Sequence, residues 1–255
     1  MEIFTQIDTW VALLTLTFLE IVLGVDNIIF ISIATSKLPK EQQRKGTNIG
    51  LLLAMIFRII LLLGISYLIA MNDPWFTINT SWLTTEITGQ SIILILGGLF
   101  LLYKSTSEIH HKVEGVTAVE NTPKKKASSL SKVIVQIVLI DIVFSFDSVL
   151  TAVGMTNGIE GALLIMITAV VISMLIMMIF ANPVGQFVNK HPTIQMLALS
   201  FLILIGFMLI TEGAHLANTV IFYQHVGAIP KGYLYFAIAF SLGVEALNMR
   251  IKKKK

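Results

Sequence analysis

The chain has 255 residues, of which 55% are hydrophobic and only 13% charged, with a formal net charge of +3 and a mean hydropathy of +0.84. Water-soluble domains carry charge on roughly a quarter of their residues, so this composition excludes that class and defines a polytopic membrane protein. There is no cysteine, which removes disulfides and thiolate metal ligands from consideration.

In chain order, seven apolar segments approach or exceed the length a bilayer requires. They cover residues 10–34, 49–70, 91–103, 132–153, 161–180, 194–211 and 233–247, the third being short for a span. The N-terminus has no basic leader and the first apolar run is longer than a signal-peptide core, so it is expected to stay as an anchor. Sixteen of the eighteen Lys and Arg residues lie in alternate connections: after spans one, three, five and seven. By the positive-inside rule the N-terminus is expected outside and the C-terminus in the cytoplasm. The stretch 105–131, with His110, His111 and the run from Pro123 to Ser129, reads as a flexible cytoplasmic linker. A histidine pair can touch metal, but in a solvated loop the plain reading is preferred.

The expensive features are charges within apolar runs. A carboxylate at membrane depth costs about 2.5–3.5 kcal/mol even on insertion scales. Span one nonetheless holds Glu20 and Asp26, and span four holds Asp141 and Asp147. The pairs are in register: Glu20 matches Asp141, Gly24 matches Ser145, Asp26 matches Asp147 and Asn27 matches Ser148, all at an offset of 121 residues. With three spans per copy, the second copy starts from the opposite face of the membrane, the inverted-repeat design of many secondary transporters. Gly98-Leu-Phe-Leu-Leu-Tyr-Lys in span three and Gly206-Phe-Met-Leu-Ile-Thr-Glu in span six are a weaker echo of the same repeat. The expected organisation is therefore a first three-helix repeat over 1–104, a linker over 105–131, an inverted second repeat over 132–215, and an additional span with a basic tail over 216–255.

At 100° per residue, Glu20, Gly24 and Asn27 share a helical face while Asp26 points about 120° away, and span four repeats this. Two arrangements satisfy the pattern. Either each helix unwinds near Gly24 and Ser145, or each sends one acid to a central point and the other to a neighbouring span. Clustered acids in low dielectric repel one another and favour their neutral forms, a problem that a divalent cation relieves. The candidate ligands are Glu20, Asp26, Asn27, Asp141, Asp147 and Ser148, with Ser145, Arg58 and Glu245 in supporting positions. An all-oxygen set suits manganese, calcium or magnesium. Metal departure matched by proton uptake is the natural driving arrangement. The alternative is that these acids serve only as hydrogen-bond partners between helices. Arg58, amid apolar neighbours, needs an acid partner, either constantly or only while no cation is bound. Glu245 and Asn248 sit near the basic tail, where a membrane-interface position is the preferred reading, and Glu212 and His215 are expected at the outer mouth.

Glu20-x-x-Leu-Gly-x-Asp-Asn, Asp141-x-x-Phe-Ser-x-Asp-Ser, Glu212-Gly-x-His and Phe240-Ser-x-x-Val-Glu-x-Leu-Asn together resemble the TerC family of integral membrane proteins, over nearly the whole chain. The resemblance implies a bacterial inner-membrane protein that exports manganese, takes part in metal homeostasis or the metalation of secreted enzymes, and has an older association with tellurite resistance. It also implies that the acids of spans one and four are the functional ones. The expectation is a secondary-active exporter, not an enzyme, with a transported divalent cation, protons as counter-ion, the lipid bilayer as surroundings and no tightly bound cofactor. Nothing in the sequence points to nucleic acid or fixes an oligomeric state. Two rivals stand beside it: a non-transporting accessory or scaffold protein, and an intramembrane aspartyl protease, against which count the four matched acids and the lack of a Gly-x-Gly-Asp sequence. The exporter reading requires the acids of spans one and four to meet. Permanent basic partners that left no room for a cation would count against it.

Overall fold

A computed structural model describes residues 7–117, 129–156 and 158–252; the side chains of residues 25, 26, 115–117 and 252 lie outside the description. Helices dominate: α1 (Ile7–Thr35), α2 (Lys40–Leu63), α3 (Ile65–Ala70), α4 (Gly89–Thr117), α5 (Leu130–Thr156), α6 (Ala162–Lys190), α7 (Pro192–Leu216) and α8 (Lys231–Lys252). Seven of these, all but the short α3, contain stretches long and apolar enough to cross a membrane. The protein is an all-α polytopic membrane protein, as its composition requires.

Helix ends differ from the hydropathy limits for identifiable reasons. Polar residues in a helix turn need no bilayer, so α2 starts nine residues before its apolar run, at Lys40, and ends at Leu63 with Gly64 as its C-cap. The largest difference is α4, which continues fourteen residues past the expected end of span three. Its polar extension is carried by one-turn pairs, Lys104 with Glu108 at 3.4 Å and His110 with Glu114 at 3.0 Å, and by Ser105 Oγ donating to the Leu101 carbonyl at 2.7 Å. His110 and His111 are therefore helical residues, which corrects the reading of this part as a flexible linker. The rest of the expected linker falls largely on residues 118–128, outside the described residues, as do residues 253–255 of the basic tail.

A four-stranded antiparallel sheet was not foreseen. Strands β1 (Pro74–Asn79), β2 (Leu83–Thr88), β3 (Val220–Ile221) and β4 (Gln224–His225) pair in that order, with a bulge between Pro74 and Phe76. The first connection carries a signal in the β-branched and aromatic residues from Trp75 to Thr88, but hydropathy alone passes over it.

The chain forms two compact units, each drawing on both sequence copies. One contains α1, α2, α5 and α6; the other contains α4, α7, α8 and the sheet. In the first, α1 packs along α6, and α2 packs against α5 and α6. In the second, α4 lies against α7. Small residues let these backbones approach. A methyl group on Gly50 of α2 would meet the Ile137 side chain of α5 at 2.9 Å. One on Gly98 of α4 would meet the Gly206 carbonyl oxygen of α7 at 2.5 Å.

Candidate functional site

The site lies in the first unit, on α1, α2 and α5. Both motif helices are continuous through Gly24 and Ser145, so the unwound alternative is not the one adopted. Among the described side chains, Glu20 and Asp141 turn inward from the two helices. Glu20 of α1 and Asp141 of α5 are both 3% exposed, and Arg58 of α2, equally buried, lies between them. One arm of the guanidinium, Nη1, donates to Glu20 Oε2. The other, Nη2, donates to Asp141 Oδ1 at 3.0 Å, and Nε donates to Ser145 Oγ at 2.9 Å.

Asp141 is the most heavily engaged of these groups. Besides Arg58, it accepts from Asn27 Nδ2 at 3.2 Å and from Ser145 Oγ at 3.0 Å. Helical geometry explains the convergence: Glu20 and Asn27, seven residues apart, return to nearly the same face of α1, as Asp141, Ser145 and Ser148 do on α5. The guanidinium spreads its donors over three nitrogens in a fixed plane, so each of its three partners is met by a separate nitrogen, whereas an ammonium group offers all its donors from one point. In low dielectric a buried guanidinium is tolerable only where acid side chains accept its hydrogen bonds, as here.

The other expected site residues are placed less centrally. Ser148 is buried and donates to the Ser145 carbonyl at 3.3 Å. Asp147 is half-buried on α5, where its backbone carbonyl accepts from Thr151. The Asp26 side chain lies outside the described residues. In the second unit, Glu245 accepts from Thr193 Oγ1 at 2.6 Å and pairs at 3.5 Å with Asn248, while the His215 ring nitrogen lies 3.3 Å from the Val226 carbonyl oxygen. Among the described residues, no three His, Asp or Glu side chains form a metal-ligating cluster.

Cavities occur at both ends of α1. One of about 500 Å³ is lined by residues that include Ser32, Thr35, Thr47, Asn182 and Gln186, with Lys40 and Arg44 at its side. Pro183 also lines it; having no N–H, this proline cannot satisfy the Ile179 carbonyl one turn earlier in α6. At the other end, a cavity of about 280 Å³ is lined by Asp8, Thr15 and Leu16 of α1 and by Met155, Thr156 and Ile159. Leu16 is one turn from Glu20, and Ser32 is about 7.5 Å along the axis from Asn27. Thr9 and Thr17, on the stretch leading to Glu20, have buried hydroxyls without a protein partner among the described residues. Sequence reasoning missed these two, because a lone Thr in an apolar helix ordinarily bonds its own backbone.

Fold and site together define a class: a multi-pass membrane protein with a buried ionic centre spanned by three helices. The chain belongs to the TerC family of integral membrane proteins, whose family model matches residues 5–255. It is 47% identical to the UPF0053 inner membrane protein YgdQ of Escherichia coli strain K12 over 251 residues, 98% of this chain and 96% of that one. A UPF0053 protein of Haemophilus influenzae is 43% identical over 246 residues, covering 96% of this chain and 95% of the other. The UPF0053 protein YegH of E. coli K12 is 42% identical over 248 residues, which are 97% of this chain but 43% of that longer protein. No solved structure matches the chain.

Proposed function

We propose that this protein is a secondary-active exporter of divalent metal ions, with manganese as the substrate, working by alternating access in the bacterial inner membrane. The observation that carries the reading is the convergence of Glu20 and Asp141, from the matched motifs of α1 and α5, on one buried point with Asn27 and Ser145 beside them. A structural tie between helices needs no such concentration of oxygen ligands, and a divalent cation does. Arg58 bonds to one oxygen of each of two acid side chains, Glu20 and Asp141, and an oxygen set of this kind suits an ion of charge two. Cavities at both ends of α1 support access from either side.

The proposed orientation puts the N-terminus outside and the C-terminal tail in the cytoplasm, following the distribution of Lys and Arg. The inverted repeat belongs to the same reading. It is supported by the helix pairing, since exchanging the two sequence copies turns the contact of α1 with α6 into that of α5 with α2 and leaves the contact of α4 with α7 unchanged. Protons serve as counter-ion, Asp26 and Asp147 being the further acids of the motifs.

The test is manganese uptake into inverted membrane vesicles by the parent and by Glu20→Gln, Asp26→Asn, Asp141→Asn and Asp147→Asn, with and without a pH gradient. Uptake by the parent and its loss in Glu20→Gln and Asp141→Asn is the expected outcome. Parental uptake in Asp141→Asn removes the proposed site, and unaltered metal content in cells with or without the protein favours the accessory reading.

A further inference from the structure

We infer that Arg58 is a tethered substitute for the transported ion: its guanidinium takes the metal's place between Glu20 and Asp141 on the return half of the transport cycle. This deepens the exporter reading and rests on it. After releasing its cargo, an alternating-access carrier must reverse its orientation while its ligands face low dielectric. Two unpaired carboxylates make that step expensive. Here the same two carboxylates that would hold the ion are each bonded to a separate arm of one guanidinium, and Ser145 holds its Nε.

Three features favour a substitute over a permanent strut. The guanidinium bonds to oxygen atoms of the proposed ligand set, Glu20 Oε2 and Asp141 Oδ1. It comes from a third helix, α2, which packs against α1, α5 and α6 and is outside the repeated acidic motifs. It has no counterpart in the second copy, for the Lys and Arg content of α6 is Lys190 alone, at the helix end. A pure strut between matched helices would serve equally well from either copy. A substitute is needed once per site. Being tethered, Arg58 competes intramolecularly, so it refills the site without a bimolecular step once the ion departs. It must be displaced when an ion binds, which keeps retention of the cargo loose enough for release.

The consequence is a separation of two transport modes. Exchange of metal for metal never requires the unloaded carrier to reorient, whereas net efflux does. In proteoliposomes loaded with manganese, Arg58→Gln is expected to lower net efflux into metal-free buffer by about ten-fold more than it lowers manganese-for-manganese exchange. Arg58→Lys retains a charge but offers all its donors from one point, and its ratio of net efflux to exchange is expected between those of the parent and Arg58→Gln. A strut lost would lower both modes together, so a parallel fall in folded Arg58→Gln overturns the inference, as does a parental ratio. If Arg58→Gln yields no monodisperse protein, Arg58→Lys decides: an intermediate ratio supports the inference and a parental ratio overturns it. A parent that carries manganese in neither mode defeats the exporter reading itself, and this inference with it.

Discussion

The seam between α4 and α7 and the centre shared by α1, α2 and α5 solve the same problem in opposite ways. The α4–α7 seam closes through glycine: Gly98 and Gly206 approach so closely that a methyl group on either would meet the other's carbonyl oxygen, at 2.5 and 2.9 Å. The other centre buries Glu20, Arg58 and Asp141, with Asn27, Ser145 and Ser148 around them. Backbone proximity suffices to join two helices in lipid. A chain able to do this with glycine has no need of buried charge for cohesion, and replacing buried ion pairs by apolar residues is often neutral or stabilising. Cohesion between helices therefore does not account for the ionic centre, whereas the proposed cation-binding role does.

Removing one member of the ionic centre is expected to do the most damage. Arg58→Leu, which leaves two buried acids without their shared cation, should destabilise the protein by about 3–5 kcal/mol, measured by denaturant unfolding in detergent. Next in size is the seam: Gly98→Ala forces two backbones apart and is expected to cost about 1–3 kcal/mol by the same assay. Removing the whole charged group should cost less than removing one part. The triple change Glu20→Gln, Arg58→Leu, Asp141→Asn is expected to recover stability to within about 2 kcal/mol of the parent while abolishing manganese transport. If the triple variant remains as unstable as Arg58→Leu alone, the centre is a structural keystone and the contrast with the glycine seam fails.

Two smaller effects sharpen the picture. Lys40 and Arg44 line the cavity that the proposed function makes an entry path, so Lys40→Gln with Arg44→Gln should speed manganese entry a few-fold at low ionic strength, and the gain should fade as salt is added. Gly154 on α5 has nothing within 4 Å of an added methyl group, unlike Gly98. Gly154→Ala should therefore change stability by less than about 1 kcal/mol, a control that separates helix propensity from close packing.

Much of this was legible in the chain itself. Seven apolar segments had to become membrane-crossing helices because a bilayer leaves backbone groups no partner but one another. The cost of charge in those segments made Glu20, Asp141 and Arg58 conspicuous before any coordinates, and the need of Arg58 for an acid followed from its neighbours alone. Polar extensions were less visible. Local pairs such as Lys104 with Glu108 continue a helix without leaving a hydropathy signal, which is why α4 runs on through His110 and His111.

By itself, then, the sequence determined the class, the spans and which charged side chains had to find partners, since these follow from solvation costs that each residue carries wherever it sits. Only the tertiary structure decided who those partners are. Helical periodicity aims a side chain but does not say which helix stands opposite, so the bridging of Glu20 and Asp141 by one guanidinium, rather than by separate acids and bases, depended on α2 packing beside both motif helices.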